Sequence, residues 1–166
     1  MSQTLELVLE TTHPAEAVRA CLAWNPDVKS SESGNLYAVG LHAIQVTDVS
    51  QPTSDDDSHR RQFGFKPTVH VWAQLQRDTE PDEDGGLPGV NTFLAIAGRL
   101  LRATPGDVVM VQNDYVVFLY RRAGVVTLQA DWATERNRAC LAVEHRTAVF
   151  PDDGGPAAVA VADSCR

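Results

Sequence analysis

The chain has 166 residues, and 43% of them are apolar, which is enough to bury the core of one ordinary domain without a metal or a disulfide. Its 14 basic and 22 acidic residues give a formal charge of −8. A field of this sign disfavours binding to nucleic-acid phosphates, and it would speed the encounter with a basic partner.

The cysteines and the N-terminus carry no sign of export. Cys21, Cys140 and Cys165 stand at long, unrelated spacings, which is neither a disulfide framework nor a zinc pattern. The N-terminal residues lack the basic stretch and apolar run of a signal peptide. No apolar stretch approaches the roughly 18 residues that a membrane helix needs. We therefore expect a cytoplasmic protein with no metal and no cofactor.

The first half of the chain reads as a strand, a helix and two more strands. Residues 4–10 predict a half-buried strand, because leucines alternate with glutamates. A hydroxyl and a proline in residues 11–14 predict the start of a helix over residues 15–24. After a polar loop, residues 36–41 and 43–49 predict two short strands around a glycine turn.

The second half predicts a long strand, a helix and a hairpin. Residues 68–76 alternate strongly, and residues 91–104 have the spacing of an amphipathic helix, with Asn91-Thr92 as its cap. The remaining predictions are strands at 107–111, 115–121 and 125–130, with a tight turn at Asn113-Asp114. Residues 131–146 are compatible with a third helix.

These elements predict an α+β fold, with an antiparallel sheet of about six strands and two amphipathic helices packed on one face. We expect residues 1–150 to form a single α+β domain. Residues 151–166 are rich in Ala, Gly, Pro and Asp, and we expect them to form a flexible C-terminal tail.

No catalytic motif is recognisable. The five histidines do not stand in metal-binding spacings, and no nucleophile elbow or nucleotide-binding loop is present. The segment 85–89 is glycine-rich and precedes a helix, but no Lys-Ser/Thr follows it and its acidic neighbours would repel phosphate. We therefore expect no catalytic residues and no enzyme.

Two features are candidates for partner binding. Thr68, His70 and Trp72 would share one face of the long strand, and tryptophan concentrates binding energy when its surroundings exclude water. Two acidic loops lack the ligand spacing of calcium sites and could dock a basic partner. The candidate contacts are Asp55, Asp56, Asp57, His70, Trp72, Asp82, Glu83 and Asp84.

Two segments carry a family resemblance. One is FGFKPTVHVWAQL (63–75), and the other is LLRATPGDVVMVQNDYVVFLYRRAG (100–124), which is followed by Trp132. Over residues 4–132 the chain resembles the immunity proteins of the myxobacterial swarming-inhibition toxin–immunity systems and their actinobacterial relatives, the Sit-type immunity family. The chain departs from that pattern at residues 73–76 and 113–115, where a charged strand end and an Asn-Gly-Glu turn are expected.

The resemblance implies a small cytoplasmic protein that binds and neutralises a cognate toxin without catalysis, and it carries over no binding residue. The negative charge agrees with a basic toxin. Two other classes stay open. One is a structural or regulatory domain that self-associates through a sheet edge or an apolar face. The other is a small ligand-binding or enzymatic domain that uses the sheet face around His70.

Overall fold

The computed structural model describes residues 3–54, 64–76, 80, 81, 83, 85–113 and 116–150. In these residues nine strands form one sheet. In chain order they are β1 (Thr4–Leu9), β2 (Val28–Ser30), β3 (Leu36–Ala38), β4 (Leu41–Asp48), β5 (Val69–Leu75), β6 (Val108–Gln112), β7 (Val116–Arg122), β8 (Val125–Gln129) and β9 (Arg146–Ala148).

The order across the sheet is β2-β3-β4-β5-β1-β6-β7-β8-β9. Only β9 runs parallel to its neighbour; the other neighbouring strands described pair antiparallel. The described helices are α1 (Ala15–Ala23), α2 (Pro88–Ala103) and α3 (Glu135–Leu141), with a 3-10 helix at Ala130–Trp132. None of these helices is long and apolar enough to cross a bilayer.

The main core lies between the sheet and the three helices. The leucines of β1 alternate toward the helices, as the sequence predicts, and pack in one buried cluster with Val18 of α1, Phe93 of α2 and Leu141 of α3. A second, smaller cluster lies on the opposite face of the sheet. Its members are Val8, Phe65, Val109, Val111, Val117, Tyr120 and Phe150. The sheet is therefore apolar on both faces at its centre.

The predicted α+β class and the predominance of antiparallel pairing are confirmed, but the predicted number of about six strands is wrong. The unpredicted β2 and β9 have three residues each, too few to show an alternating pattern. Each forms because a neighbouring strand supplies its hydrogen bonds. Residues 131–146, left open by the sequence, contain α3 and overlap the end of the 3-10 helix and the start of β9.

The predicted helix starts also need correction. No side chain caps α1, because the Thr11 hydroxyl accepts a bond from the His13 amide instead. The helix α2 begins at Pro88, so Asn91-Thr92 lies inside it rather than at its cap. Proline is favoured at the first helical position, since it has no amide hydrogen to leave unpaired. The Thr92 hydroxyl donates instead to the carbonyl oxygen of Val39, at 2.9 Å.

Two glycines allow the backbone of α2 to contact the backbone of a neighbouring element: Gly98 lies in α2 and faces α3, and Gly40 lies in the turn between β3 and β4 and faces Gly89 of α2. A Cβ on Gly98 would lie 1.8 Å from the carbonyl oxygen of Leu141 at the end of α3. A Cβ on Gly40, in the turn between β3 and β4, would lie 2.2 Å from the amide nitrogen of Gly89. The helix α2 is therefore held at closest approach to α3 and to this hairpin.

Candidate partner-binding surface

The strand β5 places His70 and Trp72 on the sheet face that points away from the helices, because its valines and Ala73 are buried on the helix side. In the antiparallel register, Trp72 stands between Glu6 of β1 and Gln45 of β4. His70 likewise stands beside Thr47 of β4. We call Gln45, Thr47, His70 and Trp72 the β4–β5 face.

A buried carboxylate fixes the position of His70. Its Nε2 lies 2.7 Å from Oε2 of Glu6, whose side chain is only 9% exposed, against 33% for the histidine. An ionised carboxylate can only accept a hydrogen bond, so opposite an ionised Glu6 the donor is Nε2–H of His70. The imidazole is therefore held on the sheet surface in a fixed orientation. Glu6 lies 64 residues away in the chain, but the alternation of β1 already placed it on this face.

The β4–β5 face has the composition of a recognition surface. Gln45 and Thr47 are exposed, and Trp72 is half-buried, so an aromatic side chain stands beside neutral polar groups of β4 and, on its β1 side, beside the buried Glu6. Charged residues are depleted and aromatic residues enriched at the centres of protein interfaces. The predicted Thr68 is not part of this face, because its hydroxyl ties the start of β5 to the carbonyl oxygen of Thr11, at 3.0 Å.

The acidic candidates are placed only in part. Asp55, Asp56, Asp57, Asp82 and Asp84 lie outside the described residues. Glu83 is described and exposed, on the connection between β5 and α2. No contact among the described residues joins it to the β4–β5 face. Of the eight candidate residues, the structure places only His70 and Trp72 on one shared surface within the described residues. Partner binding by all eight stays a prediction.

The structure also contains a cleft that the sequence did not predict. It has a volume of about 1040 Å³ and lies where the start of α2 meets the 3-10 helix and α3. Its lining combines apolar side chains with acidic and amide groups, among them Leu87, Asn91, Asp131, Trp132 and Glu135. Gly85 and Gly86, in the glycine-rich segment that precedes α2, also line the cleft.

Residues from the two segments that carry the family resemblance contact one another where β5 and β6 begin and β7 ends. Arg122 bonds the carboxylate of Asp107 at 2.5 Å and the carbonyl oxygen of Gly64 at 2.8 Å. Gly106 has a φ of +100°, and a Cβ there would lie 1.7 Å from the carbonyl oxygen of Glu10. The Gly-Phe, Gly-Asp and Arg-Arg elements therefore hold the ends of β5, β6 and β7 together. These motif residues serve the fold.

In the residues that the structure describes, the chain is thus an α+β protein with one large, mostly antiparallel sheet. Three helices cover one face, and the other face carries the small apolar cluster and the β4–β5 face. Residues 5–137 match the model of the SitI3-like family, and the chain belongs to that family. No curated protein and no solved structure matches the chain. Family membership indicates an immunity-type protein, a class that acts on a protein partner.

Proposed function

We propose that this protein binds a cognate protein toxin in the cytoplasm of the cell that makes it, and neutralises the toxin without catalysis. The family match over residues 5–137 carries the proposal. A charge of −8 supports a basic toxin, because complementary charge speeds association and disfavours wrong partners. The setting would be a swarming-inhibition toxin–immunity system like those of myxobacteria and their actinobacterial relatives.

The experiment is co-expression with the proteins encoded by the adjoining genes. Each of their C-terminal domains would be induced alone and together with this protein, and growth would be measured. We expect one domain to stop growth alone and to be harmless with the immunity protein. The two purified proteins should then form a stable complex of fixed stoichiometry. A toxic domain whose effect persists in the presence of this protein would contradict the proposal.

The β4–β5 face supplies the proposed anchors for that complex. Replacement of Trp72 by alanine should weaken binding about thirtyfold, because a buried interface tryptophan commonly contributes 2 kcal/mol or more. The matched control is Trp24→Ala: Trp24 is 79% exposed at the end of α1, on the helix side of the sheet. Equal affinities of the two variants, measured by calorimetry, would exclude the β4–β5 face as the anchor.

The acidic candidates have a different proposed role. Neutralising Asp55, Asp56, Asp57, Asp82, Glu83 and Asp84 together should slow association and flatten its salt dependence, because exposed charges act mainly on the rate of encounter. The dissociation rate should change little. An association rate that is unaltered at low salt would remove these loops from the docking surface.

A further inference from the structure

The cleft beside α2 has one aromatic wall. The indole ring of Trp132 packs on Phe118, with ring centroids 4.0 Å apart, and also lines the cleft. Leu87, which directly precedes α2, and Val90 in its first turn line the cleft, and Leu87 keeps 40% of its surface exposed. Large apolar side chains left open to solvent in a concave site are typical of binding sites.

Two acidic residues, Asp131 and Glu135, precede and follow Trp132 in the sequence. Asp131 and Glu135 both line the cleft and are exposed. In the part of the chain that the structure describes, no ion pair involves Glu135. The Asp131 carboxylate accepts only a weak bond from the amide of Gln129, at 3.3 Å. Arg136 is a cation in the same lining, so the described side chains give the cleft one excess negative charge.

We propose that this cleft receives an arginine side chain of a basic protein partner. The guanidinium would stack on Trp132 and face the carboxylates of Asp131 and Glu135. Arginine fits better than lysine, because its planar group stacks on an aromatic face and pairs with carboxylates through two parallel bonds. The start of α2 carries about half a positive charge, so the cation is assigned to the opposite wall, where Asp131 and Glu135 outnumber Arg136.

The volume of about 1040 Å³ exceeds what a single side chain fills, so residues flanking the arginine would enter with it. This inference rests on the proposed function for the identity of the partner as a toxin. It makes the cleft a second contact region, separate from the β4–β5 face. The chemistry of the cleft itself can be tested without any toxin.

The test is an NMR titration of the purified protein with N-acetylarginine amide, and with N-acetylcitrulline amide as its neutral isostere. We expect saturable shifts at the Trp132 indole and at the amides of Asn91 and Glu135. Citrulline should bind about tenfold more weakly, because it lacks the charge. The change Glu135→Gln should weaken arginine binding about threefold to fivefold, as the loss of one partly exposed charge pair.

The control for that variant is Glu16→Gln, which alters an exposed glutamate in the first turn of α1 and should leave binding unchanged. Unsaturable shifts over the whole surface, or equal binding of citrulline, would overturn the inference. Saturable binding of the arginine amide in the cleft, together with failure of the co-expression test, would support the inference and reject the toxin as partner. A toxin bound with full affinity by the double variant Asp131→Asn, Glu135→Gln would exclude the cleft as a toxin contact.

Discussion

Replacement of Gly98 by alanine is expected to destabilise the protein by about 3 kcal/mol, although alanine is the better helix former by roughly 1 kcal/mol. The reason is the contact between α2 and α3. The added methyl would lie 1.8 Å from the carbonyl oxygen of Leu141, which is backbone and cannot rotate away. The two helices must separate, and Leu141, fully buried in the main core, must move with α3.

The measurement is thermal and denaturant unfolding of the purified variant. In a domain of this size the expected loss lowers Tm by about 6–12 °C. The control is Ala103→Gly at the exposed last residue of the same helix, where only helix propensity acts and the cost should be at most about 1 kcal/mol. Since α3 forms one wall of the cleft, Gly98→Ala should also weaken binding of the arginine amide. An unchanged Tm would show that α3 docks differently.

Replacement of Arg121 by methionine is expected to cost about 3–5 kcal/mol. Arg121 is only 7% exposed, and its guanidinium donates to the carbonyl oxygens of Leu101 at 2.5 Å, Thr104 at 2.7 Å and Gly106 at 2.7 Å. These bonds supply hydrogen-bond donors to carbonyl groups at and just beyond the C-terminal end of α2, where the last carbonyls have no partner within the helix. Burial lowers the pKa of Arg121, and the nearby Asp107 carboxylate opposes this shift.

The next residue in the strand provides the control. Arg122 is also bonded, but its side chain is 25% exposed and its partner Asp107 is similarly open, so Arg122→Met should cost only about 1 kcal/mol. Arg121→Lys should fall between the two, because one ammonium group cannot reach three divergent carbonyls. Equal losses for Arg121→Met and Arg122→Met in denaturant titrations would refute the capping role.

The sequence predicted the elements whose patterns are local. The alternation of β1 and β5 fixed which residues face the helices, and with them the shared face of His70 and Trp72. The apolar spacing of α2 was clear, although its start was placed three residues late, because Asn91 and Thr92 resemble a cap. The true start is marked by Pro88, a residue type favoured at the first helical position. Both errors at helix starts concern hydroxyl groups with other partners: Thr11 accepts from the nearby amide of His13, and Thr92 donates to the carbonyl oxygen of Val39.

The features that the sequence could not predict depend on tertiary contacts. The short strands β2 and β9 have no periodicity of their own. The Glu6–His70 pair joins residues 64 positions apart, and the cleft joins the start of α2 to Trp132 and Glu135. The basic end of β7 was visible as a motif, but nothing local distinguishes Arg121, which is buried under α2, from Arg122, which pairs with Asp107 on the other side of the strand.

The position of β1 at the middle of the sheet has a consequence for synthesis. Its partners β5 and β6 end at Leu75 and Gln112, so β1, which precedes the other described strands in the chain, completes its pairing late. Contacts this distant in the chain form slowly, and a nascent chain that stops before β6 leaves one edge of β1 unpaired. Under the proposed function, a newly made molecule can protect its cell only after β6 has been translated and has paired with β1.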